Sequence, residues 1–191
     1  MIIFGDSLTS GENNGNVSFA DYLQDFGIEK YGISGNCLDD YSIYPVRGGL
    51  VSQINEFCRG KILIEYGIND AASLVTGYAS IVDVKIAIAK VRDLLQDSEV
   101  YFLMLTQNYR DLMAFSKRYA KYLNEEYLKG LMEVSACDYL GCYLRICELM
   151  IDKFKTIYML PDKFNEFDTD GIHPTDKGYQ LIAENVKKQL K

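Results

Sequence analysis

The chain has 191 residues, of which 48% are hydrophobic and 25% are charged, a balance typical of a folded globular protein. Its net charge of −7 and its lack of a basic, aromatic-rich tract argue against nucleic acid as a partner. No apolar run approaches the roughly 20 residues of a membrane span and the first residues lack signal-peptide features, so we expect a cytoplasmic protein.

Short apolar runs alternate with longer segments of helical periodicity, which is typical of a parallel sheet covered by helices. The strands are predicted at residues 1–4, 30–33, 61–67 and 100–106, with a fifth at 139–146. The third and fourth runs are almost continuously apolar, as expected for strands buried on both faces. Because no linker or repeat divides the chain, we expect one domain over residues 1–191, with an α/β fold built as a three-layer α/β/α sandwich.

Four segments carry apolar residues every three or four positions, the spacing of a helix that packs one face against a sheet. Two of them begin with a capping-box pattern, a serine followed three residues later by an aspartate: Ser18 with Asp21, and Ser80 with Asp83. The other two predicted helices span residues 111–135 and 175–190. Packing against the sheet is the expected role of all four.

Cysteine and histidine usage limits the metal and disulfide chemistry. The chain has one histidine and an odd number of cysteines, none of them in a CxxC pair: Cys37, Cys58, Cys137, Cys142 and Cys147. We therefore expect reduced thiols and no structural metal site.

A Gly-Asp-Ser turn follows the first predicted strand and places Ser7 where open parallel sheets build their sites, beyond the carboxyl ends of the strands. A serine nucleophile needs a base, and His173 is the one histidine available. Asp170, three residues earlier, can orient the imidazole, with Asp168 as a competing partner. Each of these residues also suits an ordinary turn, so none of them decides the function alone.

Two further turns offer donors for an oxyanion hole. The stretch "YGISGN" ends the second strand and can present the backbone N–H of Gly35, and "EYGIND" ends the third and can present the side-chain amide of Asn69. Glycine and asparagine also end strands for purely structural reasons. Taken together, however, a nucleophile, a base, an orienting carboxylate and two donors are all present.

Four short sequences carry these residues: "GDSLT" at 5–9, "GISGN" at 32–36, "GIND" at 67–70 and "DGIHP" at 170–174. In their order and spacing they resemble the four blocks of the SGNH hydrolases, the GDSL esterase/lipase superfamily. The resemblance covers essentially the whole chain, although residues 107–168 contain no block. It implies a flavodoxin-like fold with a five-stranded parallel sheet and no metal or organic cofactor.

Carried over by position, the resemblance implies that Ser7 is the nucleophile, that His173 is its base and that Asp170 orients the base. Gly35 and Asn69, with the backbone N–H of Ser7, would bind the oxyanion. The implied reaction is hydrolysis of a small-molecule carboxylic ester through an acyl-enzyme. We favour a short-acyl ester or an O-acetylated carbohydrate, because the chain has no long apolar surface helix of the kind an interfacial lipase would use.

Other functions remain open from the sequence. An acyltransferase or a thioesterase can use the same residues, and a non-catalytic binding module can keep the same fold. A flavin- or nucleotide-binding protein of similar topology is disfavoured, because the first turn is neither a P-loop nor G-x-G-x-x-G. Aromatic and apolar residues near the histidine loop are candidates for lining a substrate pocket, although core packing is the more common role: Tyr109, Phe154, Tyr158, Met159, Phe164 and Phe167.

Overall fold

Five parallel strands form a sheet with the order β2-β1-β3-β4-β5 in the computed structural model, which describes residues 1–46, 48–55 and 58–191. The strands are β1 (Ile2–Gly5), β2 (Glu29–Gly32), β3 (Lys61–Glu65), β4 (Glu99–Met104) and β5 (Lys155–Tyr158). The first four lie within two residues of their predicted positions. The order is that of the flavodoxin-like folds, so the predicted α/β class with five parallel strands is confirmed.

The centre of the sheet is buried on both faces. Ile62, Leu63 and Ile64 on β3 are completely inaccessible to solvent, as are Ile3 on β1 and Phe102 on β4. Consecutive residues of a strand point to opposite faces, so a run of three buried residues requires a covering layer on each side. This burial explains why β3 is a continuous apolar run in the sequence.

Helices cover both faces of the sheet. They are α1 (Ser7–Ser10), α2 (Leu50–Gln53), α3 (Ile68–Val75), α4 (Ile81–Leu94), α5 (Tyr109–Tyr122), α6 (Ala136–Ile151) and α7 (Asp176–Leu190). Short 3₁₀ helices occupy Glu12–Asn14 and Phe19–Phe26, and a π-helical turn at Leu123–Leu128 extends α5. One layer pairs α7 with the 3₁₀ helix Phe19–Phe26, and in the other α6 packs against α3, α4 and α5.

Both predicted capping boxes form. The Ser18 amide donates to Asp21 Oδ2 at 2.8 Å, and the Ser80 amide donates to Asp83 Oδ2 at 2.8 Å. The segment after Ser18 is a 3₁₀ helix with a kink at Leu23, and it ends at a left-handed Gly27. The helix after Ser80 is the regular α4.

The predicted fifth strand at 139–146 is wrong, because these residues lie inside α6. Their buried side chains recur every three or four positions along one helix face: Tyr139, Leu140, Tyr143, Ile146, Cys147 and Met150. Ser135 caps the helix by accepting from the Asp138 amide at 3.1 Å. The fifth strand is Lys155–Tyr158 instead, which pairs in parallel with β4.

The predicted helix over 111–135 is too long at its carboxyl end. The helical segment stops at Leu128 and is followed by left-handed Lys129 and Gly130. Asn124 then binds the amide and the carbonyl of Val134 through its side chain, at 2.9 Å and 3.0 Å. Val134 is buried as the periodicity suggests, but it reaches the core from a loop.

Across the part of the chain that the structure describes, no helix is both long enough and apolar enough to cross a bilayer.

Candidate active site

The register of the sheet aligns the carboxyl ends of three strands. Gly5, the last residue of β1, pairs with the last residue of β2 on one side and the last residue of β3 on the other. Ser7 follows β1, Gly35 follows β2, and Asn69 is the second residue of the helix that follows β3. The next two strands along the chain, β2 and β3, lie on opposite sides of β1, so these residues meet at the topological switch point.

The turn that carries Ser7 is held close to the sheet. Asp6 caps α1 by accepting from the Leu8 amide at 3.0 Å, and Ser7 is therefore the first helical residue. A Cβ atom on Gly5 would lie 2.0 Å from Thr9 Oγ1, so a larger residue cannot occupy this position without moving the helix. These contacts explain the glycine and the aspartate of the Gly-Asp-Ser turn.

Ser7, His173 and Asp170 form one hydrogen-bonded row. The Nε2 atom of His173 lies 2.9 Å from Ser7 Oγ, and its Nδ1 atom lies 2.5 Å from Asp170 Oδ2. Asp168, the competing partner, uses its carboxylate to accept from the Thr169 amide instead. The structure thus brings together the three residues that the sequence analysis selected, in the order that proton transfer from a serine requires.

The histidine loop is fixed from two sides. Phe167 and Pro174 form a β-bridge across its base, and the Asp168 amide donates to the His173 carbonyl at 2.7 Å. Arg118 on α5 donates from Nε to the Gly171 carbonyl at 2.5 Å, and its guanidinium lies 4.2 Å from the centre of the Phe167 ring. The position of His173 therefore depends on α5 as well as on its own loop.

Asp170 stays ionised beside the histidine. Burial favours its neutral form, but hydrogen bonds from the His173 side chain and from the Ile172 and His173 amides outweigh this effect and lower the pKa of Asp170 below its ordinary value. An ionised Asp170 favours a proton on Nδ1 of the ring. The Nε2 atom is then free to accept the proton of Ser7.

Asn13 is a neighbour of the row that the sequence analysis did not identify. Its Nδ2 atom lies 2.7 Å from His173 Nδ1 and 3.3 Å from Asp170 Oδ2. Because Nδ1 can donate to Asp170 or accept from Asn13 but not both, the shorter contact and the charge of Asp170 favour donation to the carboxylate. Asn13 then serves as a second donor to Asp170 Oδ2, beside His173 Nδ1.

The backbone amides of Ser7 and Gly35 are available to a ligand. Neither of them donates to an acceptor anywhere in residues 1–46, 48–55 and 58–191. Gly35 has a φ of +75°, a conformation that L side chains rarely adopt, and it lines the same cavity as Ser7. Two residues that line this cavity thus have backbone N–H groups without an acceptor among the described residues.

Asn69 is buried at the same cavity, but its amide is already bonded. Nδ2 donates to Asp6 Oδ2 at 2.9 Å and to the Asn36 carbonyl at 3.1 Å, and Oδ1 accepts from the Tyr119 hydroxyl at 2.8 Å. Asn69 can therefore donate to a substrate oxygen only by sharing a proton with one of these acceptors or by turning away from it. Its assignment to the oxyanion hole stays a prediction.

A cavity of about 310 Å³ opens beside Ser7. Its walls combine aliphatic residues with four tyrosines, which are Tyr44, Tyr119, Tyr122 and Tyr127. None of the aromatic and apolar candidates from the sequence lines it: Phe154 and Met159 are buried in the core, the role that the sequence favoured, and Tyr109 is exposed. The tyrosines could not be selected from sequence, because three of them lie between residues 107 and 168, where no block guides the search.

A second, larger cavity of about 610 Å³ shares Tyr122 and Tyr127 with the first and reaches Asp170. Its remaining residues are mainly charged or polar: Arg118, Lys121, Glu125, Glu126 and Thr169. Tyr122 and Tyr127 thus separate a small cavity beside Ser7 from a larger, more polar one.

Two carboxyl groups lie buried under the Ser7 turn. Glu65 Oε2 accepts from the Asp6 amide and from Thr9 Oγ1, each at 3.1 Å. Burial raises the pKa of Asp6 and raises that of Glu65 further, and the charge of Asp6 adds to the effect on Glu65. Glu65 is therefore the member of the pair that holds a proton.

Metal ligands are not clustered here. Among the described residues, no three His, Cys, Asp or Glu side chains are grouped closely enough to hold a metal ion.

Comparison with known proteins identifies the family. A sequence profile of the GDSL-like Lipase/Acylhydrolase family matches residues 3–181. The chain belongs to this family. It is accordingly an ester hydrolase of the GDSL type, as the four sequence blocks predict. No curated protein matches this GDSL hydrolase in sequence.

Solved structures share the fold of this GDSL hydrolase at low sequence identity. A family 3 carbohydrate esterase from Clostridium thermocellum aligns with a TM-score of 0.58 and 16% identity, over 98% of this chain and 92% of the esterase. A family two carbohydrate esterase from the same organism, solved with cellohexaose, aligns with a TM-score of 0.51 and 17% identity, over 100% of this chain and 63% of the esterase. Phospholipase A1 from Streptomyces albidoflavus aligns with a TM-score of 0.50 and 13% identity, over 98% of this chain and 97% of the phospholipase. These similarities establish the fold and leave the substrate open.

Proposed function

We propose that this GDSL hydrolase cleaves a short-acyl carboxylic ester, with an O-acetylated carbohydrate as the favoured substrate, through an acyl-enzyme on Ser7. The observation that carries the proposal is the row in which Ser7 Oγ lies 2.9 Å from His173 Nε2 and Asp170 bonds the opposite ring nitrogen. We also propose that residues 1–191 act as one domain that contains the whole site.

The first half of the reaction forms the acyl-enzyme. Ser7 Oγ attacks the ester carbonyl carbon while its proton passes to His173 Nε2, and Asp170 stabilises the imidazolium that results. The carbonyl oxygen becomes an oxyanion, which accepts from the amides of Ser7 and Gly35 and from Asn69. The C–O bond then breaks, and the leaving alcohol takes the proton from His173.

The second half releases the acid. A water molecule gives a proton to His173 Nε2 and attacks the acyl carbon, and the same donors hold the second oxyanion. The Ser7–acyl bond breaks, and Ser7 recovers the proton from His173. The enzyme is restored without a cofactor, in line with the resemblance.

The size and lining of the two cavities support the substrate class. About 310 Å³ beside Ser7 is at the lower end of the ~300–1,000 Å³ typical of ligand sites, which suits a small acyl group. The adjoining 610 Å³ cavity, with its tyrosines and charged groups, suits a polar alcohol portion such as a sugar. Two structural neighbours are carbohydrate esterases, which agrees with this choice, whereas the phospholipase neighbour represents the alternative.

The test is a panel of p-nitrophenyl esters from acetate to palmitate, with acetylated sugars beside them, assayed with the wild type and with Ser7→Ala. We expect kcat/KM to be highest for the shortest acyl groups, and Ser7→Ala to lower kcat on the order of 10⁴-fold or more. A preference for palmitate would contradict the short-acyl substrate. Full activity of Ser7→Ala would contradict the nucleophile.

Ser10→Ala is the matched control, since Ser10 lies one turn further along α1. Its hydroxyl bonds to the Ser7 carbonyl and to Ser34 Oγ and makes no contact with His173. We expect it to keep kcat within about threefold of the wild type, because the hydrogen bonds that it loses, including one accepted from the Glu12 amide, involve none of the reacting atoms. Product analysis with added acceptor alcohols separates hydrolysis from acyl transfer.

A further inference from the structure

Asn69 is held by a hydrogen-bonded pair of tyrosines that lies outside the four sequence blocks. The hydroxyl of Tyr119 donates to Asn69 Oδ1 at 2.8 Å, and the hydroxyls of Tyr44 and Tyr119 are also 2.8 Å apart. Because the single hydroxyl proton of Tyr119 goes to Asn69, Tyr44 must be the donor in the second bond. The bonds form a chain from Tyr44 through Tyr119 to Asn69.

Partners of opposite kind hold the two ends of the Asn69 amide. Acceptors bind its nitrogen end, namely Asp6 Oδ2 and the Asn36 carbonyl, and a donor binds its oxygen end, namely Tyr119. The two ends of an amide are nearly equal in size, so its orientation is set by its hydrogen bonds. This arrangement keeps Nδ2 on the side of Asp6, which directly precedes Ser7.

Tyr44 also touches the other proposed donor of the oxyanion hole. A Cβ atom on Gly35 would lie 2.9 Å from Tyr44 Cβ, so the tyrosine lies directly against the Gly35 backbone. One pair of side chains, Tyr44 and Tyr119, thus connects Gly35 with Asn69.

Both tyrosines keep their protons. Tyr44 and Tyr119 are buried, and burial raises the pKa of each hydroxyl well above its ordinary value. The carboxylate of Asp6 accepts from Asn69 and that of Asp70 accepts from Tyr41, and neither bonds to Tyr119. Tyr119 is therefore a permanent donor to Asn69.

We propose that Tyr119 is a positioning residue of the oxyanion hole, which holds the Asn69 amide with its nitrogen toward the Ser7 turn, and that Tyr44 supports it. The inference rests on the proposed function. A donor at Oδ1 also polarises the amide and makes its N–H groups stronger donors. The Tyr119–Asn69 hydrogen bond therefore strengthens when Asn69 shares a proton with the developing oxyanion. Tyr119 does not touch the reacting atoms.

The test is Tyr119→Phe, which removes the hydroxyl and keeps the ring. We expect kcat on p-nitrophenyl acetate to fall about tenfold with KM within twofold, because removing an oxyanion donor outright costs about 10²–10³ and here the donor remains but is less well held. Phenylboronic acid, which forms a tetrahedral adduct with an active-site serine, should bind more weakly by the same factor. A kcat and a boronic-acid affinity equal to those of the wild type would overturn the proposal.

Tyr143→Phe is the matched control for the loss of a buried tyrosine hydroxyl. Tyr143 lies on α6, and its hydroxyl accepts from the Leu105 amide at 3.1 Å, away from the cavity beside Ser7. We expect it to lower the melting temperature as Tyr119→Phe does and to leave kcat unchanged. An equal loss of kcat in both variants would assign the effect to stability and contradict a positioning role.

A double-mutant cycle with Asn69→Ala isolates the contact. If Tyr119 acts through Asn69, adding Tyr119→Phe to Asn69→Ala should cause no further loss of kcat. A second tenfold loss in the double variant would overturn the proposal. Should Tyr119→Phe not fold, Tyr44→Phe tests the same series of hydrogen bonds. We expect it to lower kcat about threefold in the wild type and not at all in the Asn69→Ala background.

The proposed function and this inference fail in different ways. Esterase activity that is undiminished in the Ser7→Ala variant would contradict the proposed function. A loss of activity in Ser7→Ala together with an unchanged kcat in Tyr119→Phe would contradict only the positioning role.

Discussion

Asp170 uses its two carboxylate oxygens for different purposes. Oδ1 accepts from the backbone amides of Ile172 and His173, at 2.8 Å and 3.0 Å, and so shapes the loop. Oδ2 binds His173 Nδ1 and sets the tautomer of the ring. Asp170→Asn can keep the first oxygen and replace the second with an NH₂ group, which donates to Nδ1 and forces the proton onto Nε2.

We therefore expect Asp170→Asn to fold normally and to lose kcat by about 10³–10⁴-fold, the cost of the wrong tautomer in other serine hydrolases. Steady-state hydrolysis of p-nitrophenyl acetate measures this loss, and a thermal melt verifies the fold. Asp168→Asn is the control, since its carboxylate binds the Thr169 amide and not the ring. Equal losses in the two variants would show that the loop as a whole, and not the carboxylate on Nδ1, controls the rate.

The residues in the sequence blocks could be selected from the sequence because their chemistry is distinctive. His173 is the one histidine, and Ser7 follows a strand at the edge of the sheet where sites are built, although its turn alone also suits a structural role. Asn13 could not be selected, because it lies outside the four blocks and its contact with Asp170 exists only in the folded chain. Asparagine and glycine also surround it in "GENNGN", where each residue suits a turn.

At the level of single elements, short stretches rich in Tyr, Leu and Ile suit a strand or a helix equally well. The run at 139–146 fits the pattern of a strand and that of a helix. Only its continuation to Ile151 shows that the burial repeats every three or four residues. β5 is harder to recognise, because its four residues include just one that is fully buried, Ile157. Edge strands lack the continuous apolar run that made β3 and β4 predictable.

The start of α4 was predictable because its signal is local. Ser80 Oγ accepts from the Asp83 amide at 3.3 Å, and this capping bond lies on the exposed surface. Ser80→Ala should lower the free energy of unfolding by about 1 kcal/mol, the usual cost of an N-cap, without changing kcat. Urea denaturation measures the difference. Ser80→Thr, which keeps a capping hydroxyl, should recover most of the stability, and no loss in Ser80→Ala would contradict the capping role.

For the molecule as a whole, the parallel sheet assembles the site from the two ends of the chain. Ser7 follows the second strand in the spatial order, and His173 comes from the loop before α7, which packs on the same side as the 3₁₀ helix Phe19–Phe26. The alternation of strands and helices sufficed to predict this architecture. The tyrosines of α5 and its π-helical turn were not predictable, because their contacts with the blocks exist only once the helices are packed.

The same packing buries carboxyl groups under the site, and this burial makes the stability depend on pH. Asp70 is fully buried, and burial raises its pKa to about 6, although the Leu38 amide, Tyr41 and the Gly67 amide all donate to it. A carboxyl with a raised pKa retains in the folded state a proton that the unfolded state releases. From about pH 4 to pH 6 the free energy of unfolding therefore falls as pH rises, by about 3 kcal/mol for Asp70.

Glu65 offers the cleaner test, because a glutamine can take over all its contacts. The amide oxygen of Glu65→Gln can accept from the Asp6 amide and Thr9 Oγ1, as Oε2 does now, and its NH₂ group can donate to the Asp6 carboxylate. Since the variant has no proton to lose, we expect its melting temperature at pH 8 to exceed that of the wild type by at least roughly 3 °C, with a smaller difference at pH 5. Exposed Glu184→Gln should change neither value. A melting temperature for Glu65→Gln below that of the wild type at pH 8 would mean that the buried carboxyl stabilises the fold, contrary to the sign derived from its raised pKa.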